Sequence, residues 1–227
     1  LYQRACPTLS YIAPHCQNPK NYCNNPLERN KDYCAFGPRK INIGFVSRFF
    51  HHHTIGKVTR GIIAKLSREK FRVHVFFLSF TADEISQFIQ QRADYSETLP
   101  LVLEEARQRI AARQLDILFY SDIGMESFSY FLAFSRLAPV QCVTYGHPLT
   151  TGIPNIDYFL STQALEVAEA DQHYSERLVR LNRAPIFYYK PALDAPLKGR
   201  QYFGLEDQHH IYACPQTVFR FHPEFDP

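Results

Sequence analysis

Three consecutive histidines, His51, His52 and His53, close a polar stretch that begins at Arg48. An imidazole titrates near neutrality and offers a donor or an acceptor, so it suits proton relay or hydrogen bonding to a ligand. His53, the last of the three, directly precedes an apolar periodic segment and is the candidate catalytic residue. A solvated or helix-capping loop is the plainer reading of the same residues. A second group runs from Tyr145 through Gly146, His147 and Pro148 to Thr150, Thr151 and Gly152. Gly146 permits close backbone approach, Pro148 fixes a turn and His147 keeps a hydrogen-bonding ring. Thr150, Thr151 and Gly152 offer hydroxyls and amides to a substrate at what reads as a helix-like start. Glycine and proline also punctuate ordinary loops. Asp122 and Gly124 end a strand-like run, where a carboxylate either orients a ligand or is simply solvated. No Asp-x-Asp pair stands ready for a divalent ion, so the expectation is chemistry without a metal or other cofactor.

The elements that must position these residues follow from periodicity. INIGFVS, from Ile41 to Ser47, is a buried-strand pattern ending in a small polar residue. From Ile55 to Ser67 the apolar residues recur at spacings of three and four, the mark of a helix with one buried face. RVHVFFLSF is a second strand and TADEISQFIQQRAD a polar-faced helix. LPLVLEEARQRIAARQ is a helix of about four turns. LDILFYSDIG then reads as a third strand, ESFSYFLAFSRLA as a helix, PVQCVTYGHP as a fourth strand and NIDYFLS as a fifth. After Ser161 come a short helix, a strand around LVRL, and a stretch, HHIYACPQTVFRFHP, that begins another strand-to-helix unit. Alternation of strand and helix demands crossovers and a parallel sheet covered on both faces, an α/β Rossmann-like fold. Ligands of such sheets sit beyond the carboxyl ends of the strands, where the histidine and Gly146 loops fall.

Composition excludes several classes. Apolar residues make up 45% and charged residues 21% of 227, ordinary for a globular chain, and 15 Pro against 9 Gly point to braced loops. A formal charge of +3 with scattered basic residues gives no electrostatic footprint for nucleic acid. No run of eighteen apolar residues is present for a membrane span, and the opening residues lack a signal-peptide layout. Four of the 6 cysteines (Cys6, Cys16, Cys23, Cys34) fall early, at spacings that match no zinc knuckle or ribbon. Free thiols in a reducing, cytoplasmic setting are the favoured reading, and an N-terminal metal or disulfide cluster is the alternative.

Several ordered blocks resemble one family. KINIGFVSRFFHHHTIG, RLAPVQCVTYGHPLTTGIPNIDYFLS and HYSERLVRL are similar to the catalytic blocks of the protein O-linked N-acetylglucosamine transferases and their bacterial relatives. The Gly146-His147-Pro148 wording is nearer to the cytoplasmic bacterial protein glycosyltransferases that modify adhesins. The resemblance implies two Rossmann-like lobes facing a cleft, the GT-B arrangement, often preceded by helical repeats. On it, residues 1–40 are a connecting segment, 41–205 the first lobe and 206–227 the start of the second, donor-binding lobe, left incomplete. It implies inverting transfer of N-acetylglucosamine or another hexose from a UDP-sugar to a protein Ser, Thr or Asn. A catalytically silent binding module and a small-molecule glycosyltransferase are the alternatives. His53 takes the position of the family's active-site histidine, the Gly146–Gly152 loop lies against sugar and diphosphate, and Gln216 and Arg220 face the nucleotide. Phe49 stands where the family carries Asp, Thr54 where it carries Pro, and Leu149 where it carries a glycine.

Overall fold

A computed structural model describes residues 9–17, 39–191, 195–216 and 224. The chain divides into two compact units, Leu1–Tyr189 and Lys190–Pro227. The first unit ends there because Phe187 and Tyr189 are tied back to it. The Phe187 amide donates to Val58 O at 2.9 Å, and Arg60 lies 5.0 Å over the Tyr189 ring.

Seven parallel strands build the first unit: β1 (Ile41–Ser47), β2 (Phe71–Phe77), β3 (Tyr95–Thr98), β4 (Ile117–Tyr120), β5 (Val140–Thr144), β6 (Tyr158–Thr162) and β7 (Arg177–Leu181). Their order across the sheet is β3-β2-β1-β4-β5-β6-β7. β3, YSET, went unread in the sequence because its alternation is polar and only four residues long. Among residues 209–216 no strand forms, against the expectation of a further strand-to-helix unit; residues 217–223 lie outside the described set.

Helices α1 (Thr54–Lys65), α2 (Glu84–Arg92), α3 (Leu103–Ala111) and α4 (Ser127–Leu132) cover both faces. Alternate residues of one strand enter different cores. Ile43 and Phe45 pack with Val73, Val75, Phe77 and the α1–α2 residues Ile55, Ile63, Ile85 and Ile89. Val46 packs with Phe76, Leu118, Tyr120 and the α3–α4 residues Ala106, Ile110 and Leu132. Burial on both faces explains why β1 and β2 read as continuous apolar runs. Residues 9–17 pack onto the first unit's α/β body. Ile12 bridges to Arg136, the Ala13 amide donates to Arg136 O at 2.8 Å, and Leu9, Ala13 and Cys16 are buried.

In the second unit, a 3-10 turn at Arg200–Phe203 ends in left-handed Gly204. The Arg200 guanidinium donates to the Glu206 and His209 carbonyls, and Lys198 sits 3.5 Å over the Tyr202 ring.

Candidate active site

The chain reverses direction across the sheet between β1 and β4, and such a switch point opens a crevice outside the carboxyl ends of those strands. The loops leaving β1, β4 and β5 there carry His53, Asp122 and the Gly146–His147 pair. The structure thus brings His53 and the Gly146–His147 pair to one end of the sheet.

The β1–α1 loop is held from beneath. The Arg48 amide donates to Asp122 Oδ2 at 2.8 Å, the Ser47 hydroxyl donates to the same oxygen at 3.0 Å, and the Phe49 amide donates to Ser47 Oγ at 2.8 Å. Phe50 is fully buried and meets Phe77 edge-on, so the loop has an apolar anchor as well. The His52 amide donates to Asp83, which also caps α2 through the Ile85 and Ser86 amides. His53 is the N-cap of α1: its Nδ1 accepts from the Ile55 amide at 3.2 Å. A ring that accepts at Nδ1 carries its proton on Nε2 when neutral. Burial, and then the neighbouring His51 and Lys57, hold its pKa below the usual histidine value. His53 is therefore a neutral imidazole whose free edge is an Nε2–H donor. Its ring stacks on Phe49, with centroids 4.6 Å apart and planes at 29°. The phenyl that replaces the family's Asp thus shapes the histidine's face and adds no charge to it.

The loop after β5 rests on the end of β4. A Cβ at Gly146 would lie 2.1 Å from Ser121 O, so only glycine admits this approach. Gly124 (φ +91) lies under the His147 ring, which a Cβ there would meet at 3.0 Å. Pro148 is exposed at the loop tip.

Thr150, Thr151 and Gly152 belong to a different arrangement from the one the sequence led us to expect. No helix starts there; the chain is irregular until β6, with Gly152 at φ +66. Both threonine hydroxyls donate to Glu176, Thr150 at 2.7 Å, and the Thr151 amide does so at 2.9 Å. The Gly152 amide donates to Ser175 Oγ at 3.1 Å. Glu176 is only 5% exposed, so this carboxylate organises the loop from inside. The signal for it in the sequence is the Tyr174-Ser175-Glu176 stretch of the HYSERLVRL block.

Other blocks that carried the resemblance are scaffold. Arg136 donates to Asp157 at 2.6 Å, and the Gln141 amide donates to the same carboxylate at 2.8 Å. The fully buried Gln141 side chain accepts from the Leu137 amide and donates to Ser135 O and Asn155 O. Gln216 lies exposed in the second unit, its amide donating to Cys214 O at 2.8 Å. Arg220 falls outside the described residues. Among the described residues, no group of three or more His, Cys, Asp or Glu is placed to hold a metal ion, and no helix is long and apolar enough to cross a membrane.

The chain is 26% identical over 199 residues to a probable UDP-N-acetylglucosamine–peptide N-acetylglucosaminyltransferase of Arabidopsis thaliana, covering 83% of this chain and 20% of that protein. It is 25% identical over 175 residues to a UDP-glucose:protein N-β-glucosyltransferase of Actinobacillus pleuropneumoniae serotype 5b, covering 75% of this chain and 27% of that protein. A mutant of the Thermobaculum terrenum O-GlcNAc transferase superposes with a TM-score of 0.61 at 27% identity, over 66% of this chain and 29% of that one. The chain therefore spans under a third of the length of these relatives. Residues 17–189 match the glycosyl transferase family 41 pattern, and the chain belongs to that family.

Proposed function

We propose that the whole protein transfers a sugar, N-acetylglucosamine or another hexose, from a UDP-sugar to a protein Ser, Thr or Asn with inversion at the anomeric carbon. The observation that carries this reading is His53 at the switch point, a neutral imidazole whose Nδ1 caps α1 and whose ring proton is left on Nε2, beside a β5 loop packed tightly on the β4 end. In the transfer, the acceptor heteroatom bonds to the anomeric carbon as the bond to the UDP oxygen breaks, and the acceptor gives up its proton. An Nε2–H donor suits a hydroxyl or diphosphate oxygen of the donor substrate and does not take that proton. Gly146, His147 and Pro148 would line the sugar; Thr150, Thr151 and Gly152 would act through the shape of their loop, since Glu176 and Ser175 hold their polar groups. Resemblance alone supports Gln216 and Arg220 as contacts to the nucleotide, with a guanidinium able to grip the diphosphate at two points. A metal-free, cytoplasmic enzyme completes the proposal.

The test uses the full two-lobed protein with UDP-N-acetylglucosamine and UDP-glucose, peptide acceptors containing Ser, Thr or Asn, and EDTA. Glycopeptide with inverted anomeric configuration, formed equally with EDTA, is expected. Retained configuration, or transfer that returns only on adding Mn²⁺, would overturn it. The stacking of Phe49 on His53 favours one second reading, a silent relative that binds the nucleotide sugar; UDP-sugar binding without product would select it.

A further inference from the structure

We infer that Asp122 is a positioning residue, whose buried carboxylate sets the path of the β1–α1 loop and through it the placement of His53. The inference rests on the transferase reading for its kinetic consequence only. Where β1 ends, the chain leaves the sheet and its next amides lose their ladder partners. Asp122 Oδ2 takes the Arg48 amide at 2.8 Å and the Ser47 hydroxyl at 3.0 Å, and that hydroxyl takes the Phe49 amide at 2.8 Å. The relay therefore runs from a carboxylate on the β4 end to the residue whose ring stacks on His53 at 4.6 Å.

A wholly buried carboxylate is costly, and an apolar side chain would fill the end of a core strand more cheaply. A carboxylate persists there to accept hydrogen bonds. The same short turn, closed by the Met125 amide donating to Asp122 O at 3.0 Å, also seats the other loop through Ser121 O and Gly124. One turn thus fixes both candidate loops relative to each other. The charged neighbours are Glu126, which caps α4 and opposes ionisation of Asp122, and the Arg48 guanidinium, 4.0 Å from Glu126; Ser129 adds a hydroxyl.

The experiment compares Asp122→Ala, Asp122→Asn and Ser47→Ala in the full two-lobed protein. Hydrogen exchange is read for the peptide spanning residues 48–53, and kcat and KM are read for sugar transfer. Asparagine keeps an acceptor of the same shape, so it should recover slow exchange and most of kcat. Asp122→Ala should speed exchange of the Arg48 amide and Ser47→Ala that of the Phe49 amide, each having lost its acceptor, and each should lower kcat by roughly 10-fold or more, with donor KM little moved. The double variant should lower kcat by less than the product of the two single effects, because Ser47 and Asp122 are themselves hydrogen-bonded. Should Asp122→Ala not fold, Ser47→Ala carries the test, since alanine leaves the strand intact. Unchanged exchange in Ser47→Ala, or an asparagine variant as damaged as alanine, overturns the inference. A wild-type protein that transfers no sugar overturns the transferase reading instead, while the exchange comparison still decides the role of Asp122.

Discussion

Replacing Gly146 with alanine tests whether the β5 loop is held where chemistry needs it. The added Cβ would lie 2.1 Å from Ser121 O, 3.1 Å from Ser121 C and 3.2 Å from Ile55 Cδ1. Non-bonded heavy atoms do not settle much below about 3 Å, so something must retreat by about 1 Å. Ser121 resists: its amide donates to Val46 O at 3.3 Å, and the next residue is pinned by the β1–α1 loop. The Tyr145–Pro148 loop is exposed at its tip and should move instead, straining the contact of the Gly146 amide with Thr144 O at 2.8 Å. Overpacking of this kind costs about 1–3 kcal/mol of stability. A ~1 Å misplacement of a binding loop costs up to ~10²-fold in rate, about 2.7 kcal/mol of barrier. On the proposed transfer, the assay is kcat/KM for sugar transfer with the thermal midpoint, both on the full protein. Wild-type kcat/KM with an unchanged midpoint would mean that the loop yields freely and that its tight seating on Ser121 has no bearing on the site.

Three further outcomes follow from the same structure. His53→Ala should lose the α1 cap, about 1 kcal/mol, together with roughly 10²-fold in kcat, whereas His53→Asn should restore the cap and leave kcat low; equal kcat for all three proteins would remove His53 from the site. His74 is buried on β2 with neither ring nitrogen hydrogen-bonded among the described residues, and burial, then Arg113 and Arg72, push its pKa down to about 4. The unfolded chain therefore binds the extra proton between about pH 6.5 and 4, so stability is intact above that window and falls through it, by at most ~3 kcal/mol; His74→Leu should flatten this acid limb in calorimetry, and an unaltered limb would reassign it. Asp122 carries the opposite sign: burial raises its pKa from 3.8 to about 6, so the folded state loses stability as pH rises through that window, and Asp122→Asn should raise the thermal midpoint at pH 7 but not at pH 3.5, which equal shifts at both pH values would contradict.

Most of the scaffold was legible because burial on both sheet faces writes apolar runs into β1, β2, β4 and β5 and a three-four spacing into α1. β3 was illegible for the same reason in reverse: at a sheet edge its polar side chains face one another, with the Tyr95 hydroxyl donating to Glu97 at 2.6 Å and Arg113 stacked 3.7 Å over the Tyr95 ring. Candidate loops could be located, since residues unusual for loops fell after strand ends. What each side chain does there could not be read, because it depends on partners distant in sequence. Asp122 meets Ser47 75 residues away, and Glu176 meets Thr151 25 residues away. A carboxylate at a strand end and a glutamate in a loop carry no local mark of burial. His53 is the intermediate case: its place before a helix suggests a capping role or a chemical one, and the structure gives it the cap, with no hydrogen bond on Nε2 among the described residues.

That double use bears on the chemistry. To act as a base, His53 would have to offer Nε2 as an acceptor, which moves the ring proton to Nδ1, breaks the cap to the Ile55 amide and sets an N–H against the helix's own unpaired amides. Taking up a proton to become imidazolium is opposed by burial, by His51 and Lys57, and by the positive end of the α1 dipole. These terms act in one direction, and none depends on the substrate. The other carboxylates at these loops have structural work: Asp83 takes the His52 amide and the first turn of α2, Glu126 the first turn of α4, and Asp122, wholly buried, takes Ser47 and Arg48 on Oδ2. On the proposed transfer, then, the first unit supplies donors and shape, and the acceptor's proton leaves to a group that this unit's switch-point loops do not provide. A pH–rate profile of the full enzyme separates the two cases. A limb at a depressed histidine pKa that vanishes in His53→Asn would make His53 the base after all; a profile unchanged in shape, at lower kcat, is what the capped Nε2–H tautomer requires.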